Sequence, residues 1–295
     1  MSKHPKQPNP WLLATRPKTL PAAAAPVLVG IALAFHDGMI RPFTAVLTLL
    51  AALLIQIGTN YANDLFDYLK GTDTEERIGP LRVTQAGLLT PKQMQWGMIA
   101  VFAMSVLIGF YLAWVGGWSI VFIGTSAIIC GILYTGGPYP LGYHGWGELF
   151  VFIFFGLVAV SGTYYLQTGE VSTDALLIGC GQGALATAIL IVNNLRDTKT
   201  DALTGKRTLA VRLGPAFTRI EYTTLVGLAM FIPLLLVWLH PGDIAPLLTL
   251  FTLPLAFRHS ITIWLAKPEN LNPMLGATAH MQMMYSLLLA LGLIV

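Results

Sequence analysis

Two short stretches hold most of the side chains whose types and spacing could do chemistry. The first reads Asn60-Tyr61-Ala62-Asn63-Asp64-Leu65-Phe66-Asp67-Tyr68-Leu69-Lys70-Gly71-Thr72-Asp73. The second reads Asn193-Asn194-Leu195-Arg196-Asp197-Thr198-Lys199-Thr200-Asp201 and runs on to Gly205-Lys206-Arg207-Thr208. Asn63 and Asp67 are four residues apart, as are Asn193 and Asp197, and Asp197 and Asp201. On a helix such pairs share one face. Each stretch therefore presents a ladder of hard oxygen donors followed by Lys or Arg. Carboxylate and amide oxygens suit Mg²⁺, which proteins usually hold through one or two carboxylates together with the phosphates of a substrate. Two facing ladders could grip magnesium ions against one diphosphate from both sides. Lys206, Arg207, Arg77 and Arg82 would then meet the remaining oxygens, Arg by its planar fork and Lys as a point charge. Neither stretch has the spacing of a helix–loop–helix calcium site. Acids and amides can also simply solvate or cap a helix end. That account suits a single Asp better than two stretches that each close an apolar run and each lead into basic residues.

These ladders must be carried by membrane helices. The chain has 295 residues, 55% hydrophobic and only 11% charged, with a mean hydropathy of +0.67. Soluble domains carry about 25% charged residues, so most of this chain faces lipid or a core buried in lipid. Its length suits one polytopic domain over residues 1–295. With about 20 apolar residues needed per crossing, nine spans are expected, at roughly 17–36, 43–66, 92–114, 118–135, 147–166, 175–197, 219–239, 244–265 and 275–295. The fold class is thus an all-α, polytopic membrane helix bundle. The apolar run after Arg16 is read as a first membrane helix and not a cleaved signal, because further spans follow. Pro21 and Pro26 predict a kink near its start. Cys130 and Cys180 lie in apolar runs and read as small buried hydrophobes, not as a disulfide or a metal pair. A net charge of +3 is too small to point to nucleic acid.

Charge sets the orientation. With the N-terminus inside, 16 of the 17 Lys and Arg residues fall in inner segments and only Arg41 lies outside. Positive loops stay on the cytoplasmic side, which predicts a cytoplasmic N-terminus, two long inner loops at about 67–91 and 198–218, and polar chemistry gathered at the cytoplasmic surface. Gly179-Cys180-Gly181-Gln182-Gly183 would let helices approach closely, within the bundle or between chains.

At the two ladders the sequence resembles the UbiA superfamily of intramembrane aromatic prenyltransferases, through Asn63-Asp64-x-x-Asp67 and Asp197-x-x-x-Asp201. It is closer still to the 1,4-dihydroxy-2-naphthoate branch, the MenA-type enzymes. That likeness rests on Arg16-Pro-Lys-Thr-Leu-Pro21, the run from Asn63 to Asp73, Tyr134-Thr-Gly-Gly-Pro138-Tyr-Pro-Leu141, and Asn193-Asn-Leu-Arg-Asp197 continuing to Gly205-Lys-Arg-Thr-Leu-Ala-Val-Arg-Leu-Gly214. Many superfamily members place a third acid where Gly71 stands here; the nearest acid is Asp73.

The resemblance implies a central cavity, open sideways to lipid, for an isoprenoid tail, with its diphosphate between the ladders and a naphthoate ring as acceptor. It assigns Asp64, Asp67, Asp197 and Asp201 to catalysis and to Mg²⁺, with Asn63 and Asn193 as further oxygen ligands. Asn60, Lys70, Arg77, Arg82, Asn194, Arg196, Lys206 and Arg207 would meet the diphosphate. Arg16, Lys18, Asp73, Tyr134, Tyr139 and His144 would bind substrate, and Glu148 with His144 could orient hydroxyls or move a proton. Tyr61, Phe66, Tyr134 and Tyr139 could shield an allylic cation, although any one of them could equally be ordinary packing. The family's reaction replaces the ring carboxylate, so CO₂ leaves. The membrane would be a plasma-type or thylakoid membrane. Phytyl, geranylgeranyl and longer polyprenyl tails remain open, as do homogentisate and 4-hydroxybenzoate acceptors. A secondary transporter is the rival from another class; its acids would be expected near the midplane, not gathered at one surface.

Overall fold

The computed structural model describes residues 9–72, 79 and 81–295, and among these it is helical with no strand. A short helix α1 (Pro10–Ala14) begins at Asn9, whose side chain accepts from the Trp11 amide. Eight long apolar helices follow: α2 (Leu20–His36), α3 (Pro42–Leu69), α4 (Pro91–Leu133), α5 (Gly147–Thr168), α6 (Thr173–Leu203), α7 (Leu209–Leu239), α8 (Ala245–Leu265) and α9 (Asn272–Ile294).

Eight helices and nine expected spans are reconciled by α4. It starts at a capping box in which Thr90 and Gln93 satisfy each other's amides. At 43 residues a straight helix would be roughly 65 Å long, about twice the hydrocarbon thickness. It breaks at Gly117, where φ 68° and ψ −159° are open only to glycine. The chain doubles back there. A Cβ on Gly58 would strike Phe102, from the first limb, and one on Gly131, from the second, would strike Thr59. Both limbs therefore flank the same turn of α3. Trp114 and Trp118, 89% and 85% exposed, bracket the break as interfacial aromatics do.

The expected kink at Pro21 and Pro26 takes another form. Pro21 sits in the first turn, where its missing N–H costs nothing. α2 stays continuous through Pro26, and the sharp change of direction comes earlier, at Arg16 with φ 50°. The second inner loop is also shorter than expected. α6 runs on to Leu203 and α7 starts at Leu209, with a break at Gly214 separating its first turn from the span.

α6 is the most buried helix. It packs on α5, α7 and α9, and the main core joins Leu185, Ile191 and Leu195 to Tyr222, Met281, Leu289 and, from α2, Val29 and Leu33. A Cβ on Gly156 would run into Gly179 and Gly183, so the small residues of α6 serve close helix approach within the bundle. A π turn at Ile153–Val158 in α5 marks this crossing. A second core holds α3 to α4 through Tyr61, Leu65, Met98 and Phe102. Between these two bodies of packed helices lies a cavity. Cys130 and Cys180 are free and only half-buried, and Cys130 stands in the cavity wall.

Candidate active site

The C-terminal third of α3 turns four polar residues toward different partners. Asn60 donates to the Thr15 carbonyl at 2.9 Å and to Thr19 Oγ1 at 3.1 Å, which ties down the turn holding Arg16. Asn63 Oδ1 accepts from Thr135 Oγ1 at 2.9 Å. Asp64 is buried, and both its oxygens are taken by backbone amides, Val83 at 3.0 Å and Thr84 at 2.9 Å. It thus anchors the segment that carries Arg82.

Asp67, 1% exposed, is the hub. It accepts from Arg82 Nη2 at 2.6 Å, Tyr143 OH at 2.5 Å, Lys206 Nζ at 3.2 Å and Thr72 Oγ1 at 3.3 Å. The Tyr143 ring lies under two ammonium groups, Lys206 at 4.7 Å and Lys70 at 5.0 Å from its centroid. Lys70 also donates to the carbonyls of Thr135 at 2.8 Å and Gly137 at 3.1 Å. Burial holds its pKa below the ordinary lysine value; Asp67 pulls it back up and Lys206 pushes it further down.

The second ladder lies on α6. Arg196, its side chain fully buried, binds Asp197 through Nε at 2.7 Å and Nη2 at 2.6 Å. The same guanidinium reaches Asn193 Oδ1 at 2.7 Å and Asn272 Oδ1 at 2.9 Å. Asn194 donates to Glu148 Oε1 at 2.8 Å. Past the end of α6 the chain turns at Gly205 (φ 78°), the Lys206 amide returns to the Asp201 carbonyl at 2.9 Å, and the Lys206 side chain swings across to Asp67. The two ladders therefore meet through Lys206. Arg207 contributes its amide to the Tyr143 carbonyl at 2.7 Å while its side chain is exposed.

Beneath this polar cap a cavity of ≈ 450 Å³ descends between α2, α3, α4 and α5. Gln56, Asn60, Asn63 and Tyr134 make its polar end; Val27, Ile55, Ile128 and Phe154 are typical of the rest. Phe110 and Val121, one on each limb of α4, line it and are also 69% and 39% exposed, so it opens sideways at α4. Tyr134 fits there because residues 142 and 147 are glycines, where a Cβ would strike its ring and hydroxyl. Burial, and then the carboxylates of Glu148, Asp201 and Asp67, push its hydroxyl well above the usual tyrosine range. It is a neutral hydrogen-bond donor among carboxylates.

The structure thus gathers Asn60, Asn63, Asp64, Asp67, Lys70, Arg82, Tyr134 and Lys206 at one end of the cavity, with Asn193, Asn194, Arg196, Asp197 and Asp201 on the facing helix. Of the four aromatics expected to shield a cation, Tyr134 alone is on the cavity wall. Tyr61 packs on Trp11 and Phe66 against Gly136, while Tyr139 stacks on His144 at 3.6 Å at the exposed rim. Lys18 is exposed and Arg16 half-buried. Asp73 and Arg77 lie outside the described residues. Tyr143, the residue that joins Asp67 to both lysines, was not singled out from the sequence; nothing in its spacing marks it. The donors are all hard oxygens, which fits Mg²⁺. Among the described residues no three His, Cys, Asp or Glu side chains are grouped to hold an ion by themselves, so the donor set fits an ion shared with phosphate oxygens.

The architecture is that of an intramembrane enzyme with a polar cap over an apolar cavity. The chain matches the UbiA prenyltransferase family over residues 23–288 and belongs to it. It is 37% identical to 1,4-dihydroxy-2-naphthoate octaprenyltransferase of Haemophilus influenzae over 294 residues, covering 97% of this chain and 96% of that protein. It is 40% identical to the protein of that name from Mycobacterium tuberculosis over 248 residues, 84% of each chain. In fold it is similar to a UbiA homolog from Archaeoglobus fulgidus bound to DMAPP and Mg²⁺, with a TM-score of 0.68 and 18% identity over 95% of this chain and 98% of that one.

Proposed function

We propose that this protein transfers a polyprenyl group from its diphosphate to 1,4-dihydroxy-2-naphthoate, releasing diphosphate and CO₂. The observation that carries the reading is the joining of the two oxygen ladders, through Lys206 and Asp67, directly over the mouth of an apolar cavity. The relatives named above support the acceptor, and their octaprenyl donor is the first to try.

The allylic carbon–oxygen bond of the donor breaks, its electrons leave with the diphosphate, and a ring carbon of the naphthoate forms the new bond as its carboxyl carbon departs. Lys206, Lys70 and Arg82 bind phosphate oxygens and stabilise the charge that grows on them. Asp67 holds Lys206 and Arg82 in place until phosphate competes for them. Asp64, Asp67, Asp197 and Asp201, with Asn63 and Asn193, would hold Mg²⁺ through lone pairs beyond those already bonded to amides and guanidiniums, and that ion when bound supplies further neutralisation of the leaving group. Tyr134 keeps its proton and offers a hydrogen bond at the cavity mouth, and the apolar wall below excludes water from the allylic cation. Arg16, in the turn that Asn60 ties down, would meet the acceptor carboxylate.

The active site faces the cytoplasm, and the concentration of 16 of 17 basic residues in inner segments supports this orientation; the membrane is a plasma-type or thylakoid membrane. Residues 1–295 form a single domain. The test is detergent-purified protein with octaprenyl diphosphate, 1,4-dihydroxy-2-naphthoate and Mg²⁺, with and without EDTA. Metal-dependent product lacking the mass of CO₂ is the expected result; intact diphosphate with folded protein would overturn the proposal.

A further inference from the structure

Most glycines within the spanning helices have an evident reason. At Gly30, Gly58, Gly131, Gly156 and Gly183 a Cβ would strike a neighbouring helix, and Gly117 needs its positive φ. Gly109, Gly124 and Gly162 have neither reason. They are helical, and a Cβ built on any of them would meet nothing within 4 Å. Glycine weakens a helix relative to alanine, and Gly227 and Gly276, away from the cavity, are open in the same way, so what sets Gly109, Gly124 and Gly162 apart is where they stand. All three line the apolar cavity.

They also lie at one depth. Gly109 and Gly124 stand eight and seven residues on either side of the turn at Gly117, and Gly162 six residues before the outer end of α5 at Thr168. The α3 residues on the wall near the same level, Thr48, Ala51 and Ala52, are small too. Gly124 is ten residues from Tyr134, about 15 Å at 1.5 Å per residue. An extended isoprenoid unit of four carbon–carbon bonds spans about 5 Å with bonds of about 1.5 Å. The glycines therefore face the third unit of a tail whose diphosphate sits at the cap.

Resting on the prenyl-transfer reading above, we propose that Gly109, Gly124 and Gly162 form a wide waist in the cavity that determines donor length: tails longer than about three units pass only because no side chain projects there. Tails of two units end above the waist and do not feel it. Gly227, also helical and open around its Cβ but exposed and away from the cavity, provides the control.

The experiment takes the series Ala, Val and Leu at Gly124 and Gly162, with Gly227→Leu beside them. It measures kcat/KM for octaprenyl and for geranyl diphosphate, with binding of the matching non-reactive thiolodiphosphates read in parallel. The expected result is a long-to-short ratio that falls with side-chain size, at least ten-fold for Leu at either cavity position, in both turnover and binding, with the ratio unchanged in Gly227→Leu. An unchanged ratio in folded Leu variants, or an equal loss with both donors, would overturn the proposal. Failure of the wild type to turn over any donor with the naphthoate would instead fall on the reaction, because the binding ratio is read without it.

Discussion

Asp67 and Lys206, 139 positions apart in the chain, lie 3.2 Å from one another and close the cap between α3 and the turn after α6. The pair is little exposed, at 1% for Asp67 and 15% for the lysine side chain, and Asp67 carries Arg82 as well. The carboxylate sets the position of the cations that a diphosphate would need. Asp67→Asn should lower kcat by about 100-fold or more, the usual loss for a group that shapes charge stabilisation at a reacting centre. A rate within a few-fold of wild type, in diphosphate-release assays, would remove Asp67 from the mechanism.

Asp197 accepts from Arg196 through both its oxygens, in a buried two-bond pair. Removing one partner of such a pair commonly costs about 3–5 kcal/mol, because the other charge is left buried. Asp197→Ala should therefore lower the melting temperature in detergent as well as the rate. Asp197→Asn with Arg196→Gln should recover much of the stability and none of the turnover.

Tyr143→Phe removes the hydrogen bond to Asp67 and the contact with Thr72 but leaves the ring under Lys70 and Lys206. A hydrogen bond to a charged group contributes about 1.5–3 kcal/mol, so kcat/KM for the donor should fall by roughly 10- to 100-fold. The loss should appear for the donor and not for the naphthoate, which substrate-saturation curves would separate.

Much of this was legible in the sequence, because hydropathy alone determines what can cross a membrane. The nine spans, the gap between 114 and 118 that became the turn at Gly117, and the i, i+4 ladders all follow from local pattern. The partners did not. That Asp64 would spend both oxygens on the amides of Val83 and Thr84 depends on how a distant loop returns to α3. The same holds for Tyr143, which reaches Asp67 only after the loop following α4 folds back. Two glycines, at 142 and 147, make room for Tyr134, and that room exists only in three dimensions.

Lys70 gives a pH signature. Its pKa is lowered, chiefly by burial, so it loses its charge at a lower pH than an ordinary lysine. If it binds phosphate, activity should decline on the alkaline side before the ordinary lysine range is reached. Lys70→Arg, which stays charged throughout, should move that decline upward. Identical alkaline limbs in the two proteins, measured at saturating acceptor, would show that Lys70 does not hold the donor.

The reversal at Gly117 leaves almost no chain between the two limbs of α4 at the end away from the polar cap. The first limb therefore has no tethered loop to be carried across ahead of the second. The two limbs form a hairpin, and entering the bilayer together would spare the free carbonyls of the turn a passage through hydrocarbon on a lone helix. Trp114 and Trp118 would then hold the tip at the far headgroups, and a ribosome paused between the two limbs would carry a segment not yet fixed in the membrane.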